Sequence, residues 1–327
     1  MHNKAPEYHI PVLGPDVSNN LITDRQGIYV DATLGGGGHA ENILKELSPQ
    51  GQLIGIDRDP EAITKASQRL APFKDRVTFH QVPFWQLPNV LASQGVHQIA
   101  GILFDLGLSS HQIDASQRGF SFQQDGPLDM RMGPDANQSA SEVVNTYSQA
   151  ELTRIFRAYG EERASPIIAR AICRVREEEP ITTTRQLADL IDRTVKGPHI
   201  QKTLARIFQA IRIEVNNELS HLEHVFQTAV DLLQPGGRIA VLSYHSLEHR
   251  IVKQVFQCAT RDCISHLKLP ICPCQRQPML RLITRKGIRP KQEDIAENTR
   301  ARSATLRVAE KLNIKNQPWV CQQGIPS

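Results

Sequence analysis

The stretch Asp31-Ala32-Thr33-Leu34-Gly35-Gly36-Gly37-Gly38-His39 joins an apolar run, Gly27-Ile28-Tyr29-Val30, to a helical pattern from His39 to Leu47. A strand, a glycine cluster and a helix in that order make a ligand cradle. Glycines let the backbone approach a bound group, and the helix N-terminus offers free N–H groups. The glycines do not follow the G-x-G-x-x-G spacing of dinucleotide sites. Asp31, just before them, would repel a pyrophosphate and suits a cationic group instead. Working outward, Gly51 to Asp57 reads as a second strand, and Pro60 opens a helix that runs to about Leu70. Arg76 to Val82 and Ile99 to Asp105 read as a third and a fourth strand. Strands alternating with helices predict an α/β fold with a parallel sheet covered on both faces.

From about Ser110 to Arg206 the strand pattern stops. Helical periodicity replaces it over Glu151 to Tyr159, Ser165 to Arg176 and Thr184 to Val195. Strand signals return after the turn Gln234-Pro235-Gly236-Gly237, with Arg238 to Ser243, Leu280 to Thr284 and Thr305 to Ala309, and a helix from about Leu247 to Gln257. The reading is a discontinuous sheet domain, 1–109 and 207–327, interrupted by an all-helical domain, 110–206, that serves substrate recognition.

The chain has 327 residues, 40% hydrophobic and 22% charged, an ordinary globular composition. No apolar run reaches the length of a membrane span. Met1 to Gly14 lacks the apolar core of a signal peptide, so a cytoplasmic location without a membrane partner is expected. Six cysteines in such a chain are expected to be reduced thiols. Cys258, Cys263, Cys272 and Cys274 cluster with His266, but without the paired Cys-x-x-Cys knuckles of a strong zinc signal. No metal site is assigned, and the zinc question stays open there. The net charge is +4, yet Arg276 to Arg307 holds nine Lys/Arg against three Asp/Glu. Such a segment suits a nucleic-acid partner, and a solvated surface stretch would look the same.

Three further residues fall at strand ends. Asp57 follows Gly38 by 19 residues and is placed to accept the hydroxyls of a nucleoside ribose. Asp57 and Asp59 also fit as caps of the helix begun at Pro60. Phe84 offers a ring for an adenine, or for the core. Asp105, in Asp105-Leu106-Gly107-Leu108-Ser109-Ser110, faces both cofactor and substrate. Together with Asp31 and the glycines, these positions fit S-adenosylmethionine better than any one of them does.

At these residues the chain resembles the MraW family, also called RsmH, of 16S ribosomal RNA cytosine-N4 methyltransferases. The resemblance runs nearly the whole length. It is carried by Arg118-Gly119-Phe120-Ser121-Phe122-Gln123-Gln124-Asp125-Gly126-Pro127-Leu128-Asp129-Met130-Arg131-Met132, Tyr159 to Arg163, Phe208 to Ile213 with Val215 and Asn216, Ser243 to Glu248, and Asn298 to Ser303. It implies a class I S-adenosylmethionine-dependent methyltransferase, a Rossmann-like sheet with a helical insertion. It also implies N4 methylation of a cytidine in the decoding region, with 16S rRNA, within the small ribosomal subunit, as partner. Carried onto matching positions, it implies cofactor contacts at Gly37, Gly38, His39, Asp57, Phe84, Asp105 and Gln112. His39 and Gln112 come from the resemblance alone. Thr299 and His249 depart from the family pattern, where a proline and a carboxylate are usual.

An exocyclic cytosine amine is a poor nucleophile, because its lone pair is delocalised into the ring. Acceptors for its hydrogens are needed, and positioning should supply much of the rate. Backbone carbonyls near Leu106 to Leu108 and the Ser109 hydroxyl are the candidates. Ser109 equally fits as a helix cap. His245, after the fifth strand, is placed to approach the base or a phosphate, or serves structure alone. Arg118, Arg131, Arg300 and Arg302 are candidate phosphate contacts. Two rivals remain: an NAD-type oxidoreductase, disfavoured by Asp31 and the glycine spacing, and a non-catalytic RNA-binding assembly factor, disfavoured by the intact cofactor set.

Overall fold

The structure is a computed structural model and describes residues 11–261 and 277–314. In chain order the elements are α1 (Gly14–Leu21), β1 (Ile28–Asp31), α2 (Gly38–Glu46), β2 (Gln52–Asp57), α3 (Pro60–Arg69), β3 (Val77–Gln81), α4 (Leu87–Ser93), β4 (Ile99–Asp105), α5 (Ser110–Asp114), α6 (Ala140–Thr146), α7 (Gln149–Ala158), α8 (Ser165–Arg176), α9 (Thr184–Thr194), α10 (Ile200–Asn216), α11 (Leu222–Leu232), β5 (Leu233–Ser243), α12 (Ser246–Ala259), β6 (Leu280–Leu282), α13 (Gln292–Glu297) and β7 (Thr305–Lys311). They form two compact units: Met1–Gly107 with His221–Ser327, and Leu108–Ser220.

The first unit is built on one sheet of order β3-β2-β1-β4-β5-β7-β6. β1 to β5 are parallel, and β7 inserts antiparallel between β5 and β6. This is the sheet order of class I, Rossmann-like methyltransferases. β4 is buried along its length except at its last residue, Asp105. That pattern belongs to a central strand covered on both faces whose carboxyl end opens onto a site. β5 starts earlier than the sequence suggests. Its first residue, Leu233, pairs with Ile99, and the register then shifts so that Arg238 pairs with Gly101. The Pro235-Gly236-Gly237 turn is thus absorbed as a bulge, with Gly236 at φ 80°.

The second unit is helical, and α6, α7 and α9 each start at a reciprocal capping box: Ser139 with Glu142, Ser148 with Glu151, and Thr183 with Gln186. Its core gathers Leu128, Val143, Leu152, Phe156, Ile168, Ile191, Ile207, Phe208 and Ile211. A domain boundary at 206/207 is corrected here. It would cut α10 in half, although Ile207, Phe208, Ala210, Ile211 and Val215 bury their side chains in the helical core. The unit therefore extends to Ser220. Asn216, at the end of α10, ties in the long loop that precedes α6. Its Oδ1 accepts from Met132 N (2.8 Å), and its Nδ2 donates to Met130 O (2.7 Å).

The expectation of reduced thiols holds at Cys173, a free thiol. It does not hold at Cys258, which is disulfide-bonded. Cys263, His266, Cys272 and Cys274 lie outside the described residues. Among the described residues, no cluster of three or more His, Cys, Asp or Glu could hold a metal, and no helix is long and apolar enough to cross a membrane.

Candidate active site

Three adjacent parallel strands, β2, β1 and β4, end in Asp57, Asp31 and Asp105. Placing three carboxylates along one sheet edge costs solvation energy, so each must be explained by its partners. Asp57 is fixed by two backbone donors. Gly35 N donates to Oδ2 (2.7 Å) and Asp59 N to Oδ1 (2.9 Å). The cap of α3 is Asp59, whose side chain accepts from Glu61 N (3.0 Å). Asp57 is therefore left to brace the glycine turn. Burial pushes its carboxyl up to about 6, against the pull of those two hydrogen bonds.

Asp31 is 1% exposed, and its Oδ1 accepts from Thr33 N (3.2 Å). Burial pushes it up to about 7; His39 opposes the rise, while Asp105 and Asp57 add to it. Asp105 sits at the mouth. Its Oδ1 accepts from the Tyr244 hydroxyl (2.7 Å), and its Oδ2 lies 3.5 Å from His39 Nε2. Its backbone N donates to Thr33 Oγ1 (2.6 Å), which locks the ends of β1 and β4 together. Burial and the Asp105 carboxylate hold the Tyr244 phenol well above its ordinary value.

The glycine turn leads into α2. Gly37 is its N-cap at φ 78°, and a Cβ there would stand 3.2 Å from Ala66 Cβ. A Cβ at Gly36 would meet nothing within 4 Å, so that side of the turn is open. Gly38 begins the helix, and His39 follows in its first turn. His39 is buried, and neither ring nitrogen makes a hydrogen bond. A deeply buried carboxylate whose one basic neighbour is an unbonded histidine suits a cationic ligand with polar groups of its own.

Phe84 opens the 3-10 turn Phe84–Gln86 after β3. Its ring stands edge-on to Trp85 (5.3 Å) and to Phe104 of β4 (6.1 Å). The half-buried ring is thus fixed beside the strand that carries Asp105.

The remaining sequence candidates divide between the units. His245 is the N-cap of α12, with Nε2 3.1 Å from Glu248 Oε1. Glu248 is itself buried, and its Oε2 accepts from Tyr244 N (2.7 Å). Ser109 and Gln112 belong to the helical unit. Ser109 N donates to Gln112 Oε1 (3.0 Å), and Gln112 N donates to Ser109 Oγ (3.2 Å), a reciprocal cap on α5. In the same unit Arg131 forms a bidentate pair with Asp129, and Arg118 donates to the carbonyls of Arg131 and Met132.

Sequence reasoning missed Tyr244 and Thr33. The signal for Tyr244 was its place directly after the strand that neighbours β4.

The family model described as the MraW methylase family matches residues 7–312. The chain belongs to the MraW methylase family. Its relatives include the ribosomal RNA small subunit methyltransferase H of Carboxydothermus hydrogenoformans, 48% identical over 307 residues, 93% of this chain and 98% of that one. The protein of the same name from Syntrophotalea carbinolica is 48% identical with the same coverage. That from Clostridioides difficile is 45% identical over 311 residues, 93% of this chain and 99% of that one. This MraW-family chain is a methyltransferase that depends on S-adenosylmethionine, which supplies the methyl group when bound. The three strand-end carboxylates, the open glycine turn and the unbonded His39 fit a ligand with a sulfonium, an ammonium and a ribose.

Proposed function

We propose that the chain methylates the N4 amine of a cytidine in the decoding region of small-subunit 16S ribosomal RNA, in the cytoplasm. The observation that carries methyl transfer is the row of carboxylates Asp57, Asp31 and Asp105 beside the glycine turn. Ribosomal RNA of the small subunit is supported by the names of relatives 45 to 48% identical. The cytidine N4 position rests on what the resemblance to the family implies, carried chiefly by Arg118 to Met132.

Gly37, Gly38, His39, Asp57, Phe84, Asp105 and Gln112 are assigned to the cofactor. Asp57 takes the ribose hydroxyls through whatever lone-pair capacity Gly35 and Asp59 leave it. Asp31 and Asp105 provide negative potential for the cationic groups. The helical unit is assigned to substrate recognition. Ser109 is assigned as an acceptor for the amine hydrogens: its Oγ accepts one hydrogen bond from Gln112 N and keeps a second lone pair. His245, held by Glu248, is assigned to the substrate side.

Nucleoside analysis of ribosomal RNA from cells with and without the protein tests the reading. Loss of one N4-methylated cytidine is expected, and an unchanged nucleoside profile refutes the assignment. Ser109→Ala is expected to lower turnover at saturating cofactor about tenfold, the worth of one hydrogen bond. Unchanged turnover removes Ser109 from the chemistry.

A further inference from the structure

The arginines along β7 fall into two groups. At one end, Arg238 of β5 and Arg281 of β6 share a single carboxylate, Glu310, at 3.0 and 2.6 Å. At the other end Arg307 has no such partner among the described residues. Its Nε is shut off from solvent and makes no hydrogen bond. Leaving a charged donor buried and unmade is costly, so a fold keeps it where something else completes it.

A second arginine is brought to the same place. Ile288 and Leu306 form an antiparallel bridge, with N–H···O distances of 2.8 Å in both directions. Residues flanking a bridge point to the opposite face from the bridged pair, so Arg289 and Arg307 share one face as diagonal neighbours. Directly opposite Arg307 stands Gly287, at φ 78°. A Cβ there would lie 2.7 Å from Thr305 Cγ2 and 3.6 Å from Arg307 Cγ. The missing side chain leaves room over the Arg307 stem. Arg307 pairs in register with Val241, and Ser243, two residues on, holds His249 Nδ1 at 2.5 Å. His249 thus joins the same face.

Among the described residues, no carboxylate forms an ion pair with either guanidinium. Arg307 is lowered from its ordinary value by burial and by Arg289. His249 is lowered chiefly by burial; Glu248 opposes that, while His245, Arg307 and Arg289 add to it. A face of this kind needs an anion.

Its place suggests which one. Because β7 runs antiparallel, its first residues lie at the carboxyl edge of the parallel strands. Asp105 pairs with Leu242, and Leu242 with Leu306. Two strand spacings, about 10 Å, therefore separate Asp105 from the start of the arginine pair. We infer that Arg307 and Arg289, with His249 beside them, form a phosphate site that holds a backbone phosphate of the RNA next to the target nucleotide. The site rests on the RNA reading proposed above. It adds that the sheet unit itself grips the strand.

The test uses the full chain and a fluorescein-labelled single-stranded RNA carrying the small-subunit target sequence. Anisotropy is followed across a salt series. One lost phosphate contact lowers the slope of log K against log salt by about 0.7 for a single strand. Arg307→Gln and Arg289→Gln should each show that decrease with several-fold weaker binding. Arg289 is exposed, so its variant stays informative if the other unfolds. Arg285→Gln, an exposed arginine of the same segment, should leave slope and affinity unchanged. Equal slopes for wild type and Arg289→Gln overturn the site while leaving the RNA reading intact. Thermal stabilisation by inorganic phosphate that Arg289→Gln abolishes, with no change in the RNA slope, also overturns it and assigns the pair to a small free anion. A wild-type chain that binds no RNA at all removes the substrate reading itself.

Discussion

Replacing Asp31 with asparagine should make the ligand-free protein more stable above neutral pH and a poorer binder of its cofactor. Asp31 is completely buried, and its carboxyl rises from 3.8 to about 7 in the folded chain. A carboxyl raised on folding favours the folded state only while it is protonated. The benefit is complete below the unfolded value and is lost as pH rises towards the folded one. Relative to a permanently neutral side chain, Asp31 costs about 2 kcal/mol at pH 5 and about 4 kcal/mol at pH 8. Asparagine keeps an oxygen for Thr33 N and has no proton to lose. Thermal melts of both proteins without cofactor, at pH 5 and pH 8, should show the variant gaining on the wild type as pH rises. Calorimetric titration with S-adenosylmethionine should show affinity falling on the order of tenfold or more, because the negative potential facing the cationic groups is gone. A variant less stable than wild type at pH 8, with the same difference at pH 5, would refute the claim that burial of this carboxylate destabilises the ligand-free fold.

Three other outcomes follow from the geometry. Gly37→Ala places a Cβ at φ 78° and 3.2 Å from Ala66 Cβ; it should cost roughly 1–2 kcal/mol in a denaturant melt and weaken cofactor binding. Tyr244→Phe removes a 2.7 Å hydrogen bond to Asp105, worth about 1.5–3 kcal/mol to a charged acceptor, and kcat should fall more than cofactor affinity in steady-state assays. Asn216→Ala strands Met132 N and Met130 O inside the helical unit; hydrogen exchange there should speed up, consistent with a loss of about 2–3 kcal/mol, while exchange in the sheet is unchanged.

β1, β2 and β4 were legible because each is a largely apolar run that ends in an aspartate. The Ile99 to Asp105 expectation coincides with β4, and Ser165 to Arg176 with α8. The double reading of Asp57 as ligand or cap is divided by the structure between two residues: Asp59 caps α3, and Asp57 holds Gly35. No helix was read at α10 and the 206/207 boundary fell inside it, although Leu204, Ile207, Phe208, Ile211 and Val215 carry a helical period. Their motif was read as belonging to the sheet half, and periodicity does not say which core an apolar face joins. The Tyr244–Asp105 contact spans 139 residues and exists only once β5 lies beside β4. No local pattern announces a pairing of that kind.

The split of the sheet also has a consequence for biosynthesis. During translation β4 is complete when Asp105 emerges, but its neighbour β5 does not begin until Leu233. At about 5–20 residues per second, the nascent chain carries an unpaired inner strand edge for roughly 6–25 seconds. The helical unit can close in that interval, since its core draws only on residues between 108 and 220. β5 must then wait for β7 to cover its other edge. Aggregation and chaperone capture should therefore concentrate on Ile99 to Asp105 during synthesis, and the catalytic edge becomes competent only after the last strand is made.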